Sequence, residues 1–356
     1  MNNLDAAQLH LRWYQHLQET KKSYPDLIIE DGGDTVRIGD LSQGCRLCKD
    51  GAWDCLFVTS MCNLNCHFCL SPTLNDGAIP VSAMGSETDL IENYTIANIK
   101  GCSYSGGEPL LDFDKLIHLH QLLRHHYPQN YFWLYTNGVL LDTNKLRLLA
   151  ELGFNEIRFN TAATGYSDPN ILRVIEKAAQ FIENITIEIP LLKQDEPKLL
   201  AALKRYENAG VKYLNLHDLM REGGSNSALI QHENFDRVTF KDGHCTDISL
   251  DSWSMFLDIV KHSAEHSLRL SLNHCSIANK IRQISKRRQQ MARIVKLPHQ
   301  KMEADLLYTI KVTNRNKTIC YFHPDLFDEK LADKTSHIEH IKILAPLFIC
   351  NSKVHH

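Results

Sequence analysis

No stretch of the sequence stays apolar long enough to cross a membrane, and no charge of one sign dominates it. The 356 residues carry 39 Lys and Arg against 42 Asp and Glu, a formal net charge of −3. That balance argues against a general binder of nucleic acid or of membrane surfaces. The opening MNNLDAAQLHLRWYQHLQET has neither an apolar core nor a small-residue cleavage site, so it does not read as a secretory signal, and the expected compartment is the cytoplasm. Only 11 residues are proline and 17 glycine, while 43% are hydrophobic. This excludes low-complexity disorder and allows one large core or two modest ones. No internal repeat is evident.

Cysteine, in contrast, is plentiful. Of 11, six (Cys45, Cys48, Cys55, Cys62, Cys66 and Cys69) fall within 25 residues. In a reducing compartment such a cluster points to metal binding or redox chemistry rather than to disulfides.

From Cys55 onward, short apolar runs alternate with longer amphipathic stretches. DCLFVTS, GCSYSG, YFWLYTNG, EIRFNTA, ITIEIPLL and YLNLHDL read as strands, with helical stretches between them. Strand–helix repetition of this kind implies a parallel sheet with helices outside, either an open doubly wound sheet or a partial barrel. In both, chemistry belongs at the carboxyl ends of the strands. The expected organisation is an N-terminal cap over 1–54 with a Cys-x2-Cys half-site, and a partial (β/α)6 TIM-like barrel over 55–235. An extension over 236–300 closes a second metal site, and a small α+β domain occupies 301–356. The glycine-rich REGGSN, 221–226, reads as a lid or merely as a loop.

MCNLNCHFCLSP, directly after the first strand, holds Cys62, Cys66 and Cys69 as C-x3-C-x2-C. Three thiolates can hold three irons of a cubane cluster and leave the fourth open to a ligand. A closed zinc site is the competing reading, although zinc motifs usually pair C-x2-C units. YSGGEP follows the second strand; Gly106 and Gly107 permit close backbone approach and Glu108 supplies an anion.

With Phe68 before the last cysteine, these motifs resemble the signature of the radical S-adenosylmethionine (SAM) superfamily. The resemblance implies that Cys62, Cys66 and Cys69 ligate a [4Fe-4S] cluster, with SAM on its open iron. It implies that Phe68 faces the adenine, and that Ser105, Gly106, Gly107 and Glu108 hold the amino group. Asn160 falls where relatives place a ribose-binding side chain. Arg158 shares a face with Asn160, and Glu188 points inward with Thr186. Arg158 and Glu188 read as part of the SAM site or as a buried structural ion pair. Asn137, in LYTNG, reads as a turn residue.

The upstream QGCRLCKDG places Cys45 and Cys48 as half of a tetrahedral site, with Cys275 as third ligand of a second metal, Fe or Zn. Cys245 is the expected fourth ligand and His274 the next choice; a redox pair and a packed cysteine are the alternatives. Over about Gly44 to Val295 the chain is similar to a group related to pyruvate formate-lyase activating enzymes and to the cobalamin-dependent protein-arginine methylase of methanogens. What this implies is reductive SAM cleavage to a 5′-deoxyadenosyl radical, and hydrogen abstraction from a peptide or protein side chain. The implied electron donor is a flavodoxin or ferredoxin. The alternatives are a small metabolite or nucleoside as substrate, and a non-catalytic iron–sulfur or zinc scaffold or sensor. The basic face of a helix over Ser276 to Val295 reads as a solvated surface or as a site for an acidic or phosphate-rich partner.

Overall fold

The computed structural model describes residues 3–69, 86–221, 233–239, 245–328 and 336–345. Of REGGSN, all but Arg221 lies outside the described residues, as does Cys350. The chain opens with β1 (Asn3–Asp5), α1 (Ala6–Ser23), β2 (Ile28–Glu30), β3 (Thr35–Ile38) and α2 (Gln43–Lys49). Regular alternation follows: β4 (Trp53–Thr59), α3 (Glu87–Ile96), β5 (Gly101–Gly106), α4 (Phe113–His126), β6 (Tyr131–Thr136), α5 (Thr143–Glu151), β7 (Glu156–Phe159), α6 (Pro169–Ala178), β8 (Asn184–Pro190), α7 (Glu196–Asn208) and β9 (Tyr213–His217). After β10 (Met220–Arg221), β11 (Asp236–Thr239) and β12 (Cys245–Ile248) come α8 (Asp251–Glu265), β13 (Ser271–Cys275) and α9 (Ile277–Val295). The tail holds β14 (Lys301–Glu303), β15 (Leu306–Thr313), β16 (Ile319–Phe322) and β17 (His337–Leu344).

Two compact units result. One comprises Met1–Leu47, Trp53–Ser82 and Lys100–Lys280; the other comprises Cys48–Ala52, Ala83–Ile99 and Ile281–His356. In the first, the main sheet runs β2-β3-β13-β9-β8-β7-β6-β5-β4. From β4 to β9 every pairing is parallel and in chain order, and β13 adds a further parallel strand beside β9. Sequential order decides between the two architectures left open by the alternation. Right-handed crossovers between strands laid down in one direction place their helices on one face, whereas a doubly wound sheet needs a reversal of order. The result is the expected partial barrel, with β3 closing against β13 in antiparallel register.

The pleat shows the same asymmetry. Tyr104, Phe132, Ile157, Ile185, Ile187, Leu214, Leu216 and Leu272 alternate onto the helix side and are fully buried. His120 of α4 stacks on Phe154 at 4.0 Å and meets Phe132 edge-on at 4.8 Å, which fixes that side as the one under the helices. Each such aliphatic side chain contributes roughly 1.5–3 kcal/mol by leaving water. The other face is polar: Ser103, Tyr135, Glu156, Arg158, Thr186, Glu188, Asn215, His217, Asn273 and Cys275 occupy the alternate positions.

In the second unit, β15 pairs with β14, β16 and β17, giving the separate small C-terminal sheet. The basic residues of α9 are partly used inside this unit. Arg287, 4% exposed, donates to Ala97 O at 2.9 Å, Lys286 to Lys49 O at 2.8 Å and Arg288 to Ala345 O at 3.3 Å. These cations compensate carbonyl groups at chain turns instead of forming an open basic surface.

Candidate active site

The cysteine loop leaves the carboxyl end of β4 and is stitched at once to the turn after β5. Gly107 N donates to Thr59 O at 2.7 Å, and Glu108 N to Met61 O at 2.8 Å. A Cβ on Gly106 would collide with Thr59 O, and one on Gly107 with Met61 O; Gly106 also has φ +123°. The glycines are therefore required by the approach of the cysteine loop itself, before any ligand is considered. Cys69 N closes a turn onto Cys66 O at 3.1 Å. Burial, with the charges of Cys69 and Cys62 added, pushes the Cys66 thiol up to about 12. Cys62 is raised by burial, with Glu108 and Cys69 adding to the effect. Partly buried thiols on one short loop, where the charge of one raises the pKa of Cys62 and Cys66, are costly to ionise without a cation. A polynuclear iron centre relieves that cost, so the donor set fits an iron–sulfur cluster.

Glu108 is 1% exposed. Its carboxylate accepts from Thr136 Oγ1 at 2.9 Å, from Asn137 N at 2.8 Å and from Leu110 N at 3.2 Å, bracing the ends of β5 and β6. Burial nevertheless raises its pKa. Asn137 is more than a turn residue: its side-chain amide donates to Asn63 Oδ1 at 2.7 Å, inside the cysteine loop. Phe68 is buried with Leu192 and Leu219, against Cys66, Ala162 and Ala163. Asn160 caps the turn after β7 by accepting from Ala163 N at 3.3 Å.

The polar face holds one continuous network. Arg158, 1% exposed, donates through Nε to Glu156 Oε1 at 2.8 Å, through Nη1 to Glu188 Oε2 at 2.7 Å, and through Nη2 to Ser42 Oγ at 3.1 Å. Glu156 also accepts from Thr186 Oγ1 at 2.6 Å and Tyr131 OH at 3.1 Å. Glu188 Oε1 lies 2.7 Å from His217 Nε2. Burial opposes ionisation of Glu188, but Arg158 and His217 outweigh it and hold its pKa far below the usual carboxylate range. Glu156 and His217 are additions to the sequence reading. Both were signalled by the pleat, Glu156 lying two residues before Arg158 and His217 two after Asn215.

Cys45 and Cys48 stand one turn apart on α2, where Cys45 N donates to Ser42 Oγ at 3.2 Å. Cys275 ends β13 directly beside His217. Cys55 faces the polar side; burial pushes it to about 12, with Ser103 and Ser105 hydrogen-bonding to it. Cys245 lies in a different sheet, β1-β11-β12-β10, at the end of β12 remote from its pairing with β10, and its Sγ is 3.2 Å from Thr239 Oγ1. His274 points to the other face of β13, stacked on Phe256 at 5.0 Å and bonded to Asp218 at 2.8 Å. Among the described residues, no three His, Cys, Asp or Glu side chains are already drawn together as for a bound ion. A cleft of about 480 Å³, lined by Tyr213, Ser271, Lys212 and Arg269, opens where β9 and β13 begin, at the end of the barrel opposite the cysteine loop.

Residues 56–212, from β4 to the start of β9, match the radical SAM superfamily, so the chain contains a radical SAM domain. A protein of Methanocaldococcus jannaschii described as a candidate glycyl-radical enzyme activating enzyme is 25% identical over 189 residues, 50% of each chain. The chain thus spans about half the length of that curated relative. Among solved structures, SuiB of Streptococcus suis bound to S-adenosylmethionine is 12% identical, with a TM-score of 0.46 over 65% of this chain and 53% of that one. The radical SAM methyltransferase TsrM of Kitasatospora setae is 10% identical, with a TM-score of 0.42 over 61% and 53%.

Proposed function

We propose that this chain is a radical SAM enzyme acting on a peptide or protein side chain. The observation that carries the reading is the stitching of the cysteine loop to the Gly106–Glu108 turn, above the polar face of the barrel. Cys62, Cys66 and Cys69 hold a [4Fe-4S] cluster. When bound, the cluster supplies the electron that cleaves SAM to methionine and a 5′-deoxyadenosyl radical, which takes a hydrogen atom from the substrate. The backbone of Ser105, Gly106 and Gly107 presents acceptors to the SAM ammonium. Glu108 adds a carboxylate with three of about four acceptor positions already filled. Phe68 supports the adenine side of the loop and Asn160 the ribose. Arg158 and Glu188 orient the polar wall toward the substrate. A flavodoxin- or ferredoxin-like protein supplies the electron.

The polypeptide substrate rests on the curated relative, whose description names activation of an enzyme, that is, action on a protein. A second metal, Fe or Zn, belongs to Cys45 and Cys275, with Cys48 one helical turn from Cys45. Among the described residues, no helix is long and apolar enough to cross a membrane.

The test is anaerobic reconstitution with iron and sulfide, addition of SAM and a strong reductant, and quantification of 5′-deoxyadenosine by mass spectrometry. The Cys62→Ala, Cys66→Ala, Cys69→Ala variant is the control. Product from the wild type alone is expected. A well-reconstituted wild type that neither forms product nor binds SAM would overturn the reading.

A further inference from the structure

The small C-terminal sheet has an open edge. β16 pairs with β15 on one side, and among the described residues no strand covers its other side. Asn314 N donates to Thr318 O at 3.0 Å, and Thr309 Oγ1 donates to Phe322 O at 3.2 Å, so the carbonyls of Thr318 and Phe322 point toward β15. Backbone groups alternate in direction along an antiparallel strand, which turns the N–H and C=O of Ile319 and Tyr321 outward. The side chains are uncovered as well. Ile319, Tyr321 and Phe322 are 49%, 47% and 39% exposed, and Cys320 between them is exposed. Edge strands are normally blunted by charge, proline or a bulge. β17, the edge on the far side of β15, carries Glu339 and Lys342; β16 is short but has none of the three devices. Its two ends differ in charge. Before it stand Arg315 and Lys317, both exposed and, among the described residues, without an ion-pair partner. After it stand Asp325 and Asp328, both exposed; Asp325 is met by Lys301 at 2.6 Å yet remains more than half open.

We propose that β16 pairs with β16 of a second copy of this chain, antiparallel about a two-fold axis at Cys320. Opposed residues of a sheet project from the same face, so a symmetric antiparallel pair must set one residue against itself. Centring on Cys320 sets Ile319 against Tyr321, an aliphatic–aromatic cross-strand pair made twice, and Thr318 against Phe322. Centring on Tyr321 would set Ile319 against His323 and Thr318 against Pro324, and centring on Ile319 would set Tyr321 against Lys317 in the turn. In the Cys320 register the outward N–H and C=O groups of Ile319 and Tyr321 bond those of Tyr321 and Ile319 in the other copy. The same axis brings Arg315 and Lys317 of each copy to the strand end where Asp325 and Asp328 of the other stand. The edge is thus complementary to itself in hydrogen bonding, apolar surface and charge, and pairing leaves no open row of backbone groups. This interface lies outside the radical SAM domain and does not rest on the reaction proposed above.

The experiment is sedimentation of the full chain in anaerobic, reducing buffer over a concentration series from about 1 to 100 µM. A reversible dimer of twice the chain mass is expected. The variant Ile319→Lys, Tyr321→Lys sets like charges against each other across the axis and is expected to weaken the dimer about tenfold or more. Both positions are exposed, and circular dichroism melts check that the variant folds. Arg315→Glu, Lys317→Glu changes only the turn outside the ladder, so it keeps the test open should the strand variant unfold. It is expected to weaken the dimer by up to about tenfold at low salt and by less at high salt. Register is read separately: opposed residues outside a hydrogen-bonded pair have Cα atoms about 4.5 Å apart, within disulfide reach. Brief oxidation of the dimer with copper–phenanthroline is expected to give a tryptic peptide pair linked through Cys320 of both copies, absent in Cys320→Ser. A chain that stays monomeric throughout overturns the proposal. So does a dimer held as tightly by both folded charge variants, because it then uses another surface. A dimer weakened by these variants but never linked through Cys320 overturns the register centred on that residue.

Discussion

Arg158 Nη1 donates to Glu188 Oε2 at 2.7 Å while Nε of the same guanidinium donates to Glu156 Oε1 at 2.8 Å, so one buried cation ties β7 to β8 across the polar face. Replacement by methionine leaves two carboxylates without their cation. Arg158→Met is expected to cost about 3–5 kcal/mol in urea unfolding. The triple variant Arg158→Met, Glu156→Gln, Glu188→Gln, which buries no charge there, is expected to recover a large part of it. A loss below about 1 kcal/mol in the single variant would show that Glu188 is not held ionised by Arg158.

His120 sets a pH dependence. Its ring is buried between Phe154 and Phe132, with Nε2 on Leu152 O at 2.9 Å and Nδ1 on Tyr104 OH at 3.2 Å. Leu152 O can only accept, so Nε2 carries a proton, and in the neutral ring Nδ1 accepts from Tyr104 OH. Burial lowers its pKa to about 4. Between pH 6.5 and 4 the unfolded chain therefore binds a proton that the folded chain does not. The stability from the neutral ring is complete above pH 6.5 and is lost as the pH falls toward 4, by on the order of 3 kcal/mol. Denaturant unfolding across that range, compared with His120→Phe, measures it. Equal slopes in the two proteins would refute the assignment.

Gly107→Ala tests the stitching of the cysteine loop. A Cβ there meets Met61 O, so the loop must move away from the turn after β5. Destabilisation of about 1–3 kcal/mol is expected, together with lower iron content after anaerobic reconstitution. Wild-type iron content at unchanged stability would mean that the loop tolerates the displacement.

The Asn137–Asn63 hydrogen bond gives a double-mutant cycle. Asn63→Ala and Asn137→Ala are each expected to cost about 1 kcal/mol, with the double variant losing less than the sum. The same variants are expected to change the electron paramagnetic resonance line shape of the reduced cluster. Strict additivity would show that the two side chains act separately.

Much of this was readable in the sequence. Strand–helix alternation located the barrel strands, the period-2 pleat put Thr186 with Glu188, and C-x3-C-x2-C located the loop. Asn137 does close the turn after β6, its Oδ1 accepting from Val139 N at 3.0 Å, but its further partners, Glu108 and Asn63, are 29 and 74 residues away and no local pattern reports them. His217 was passed over although the pleat signalled it, because its partner Glu188 stands on the neighbouring strand β8, 29 residues away.

The sequence by itself determined which residues alternate, which glycines lack a side chain, and which thiols crowd one loop, because these follow from spacing and residue type. Only the tertiary structure decided that the strands lie in chain order, so that the polar halves of β5 to β9 and β13 face one space. It also decided that Gly106 and Gly107 are needed by the backbone of Thr59 and Met61. Strand order and close backbone approach are relations between distant segments, and composition and periodicity do not record them.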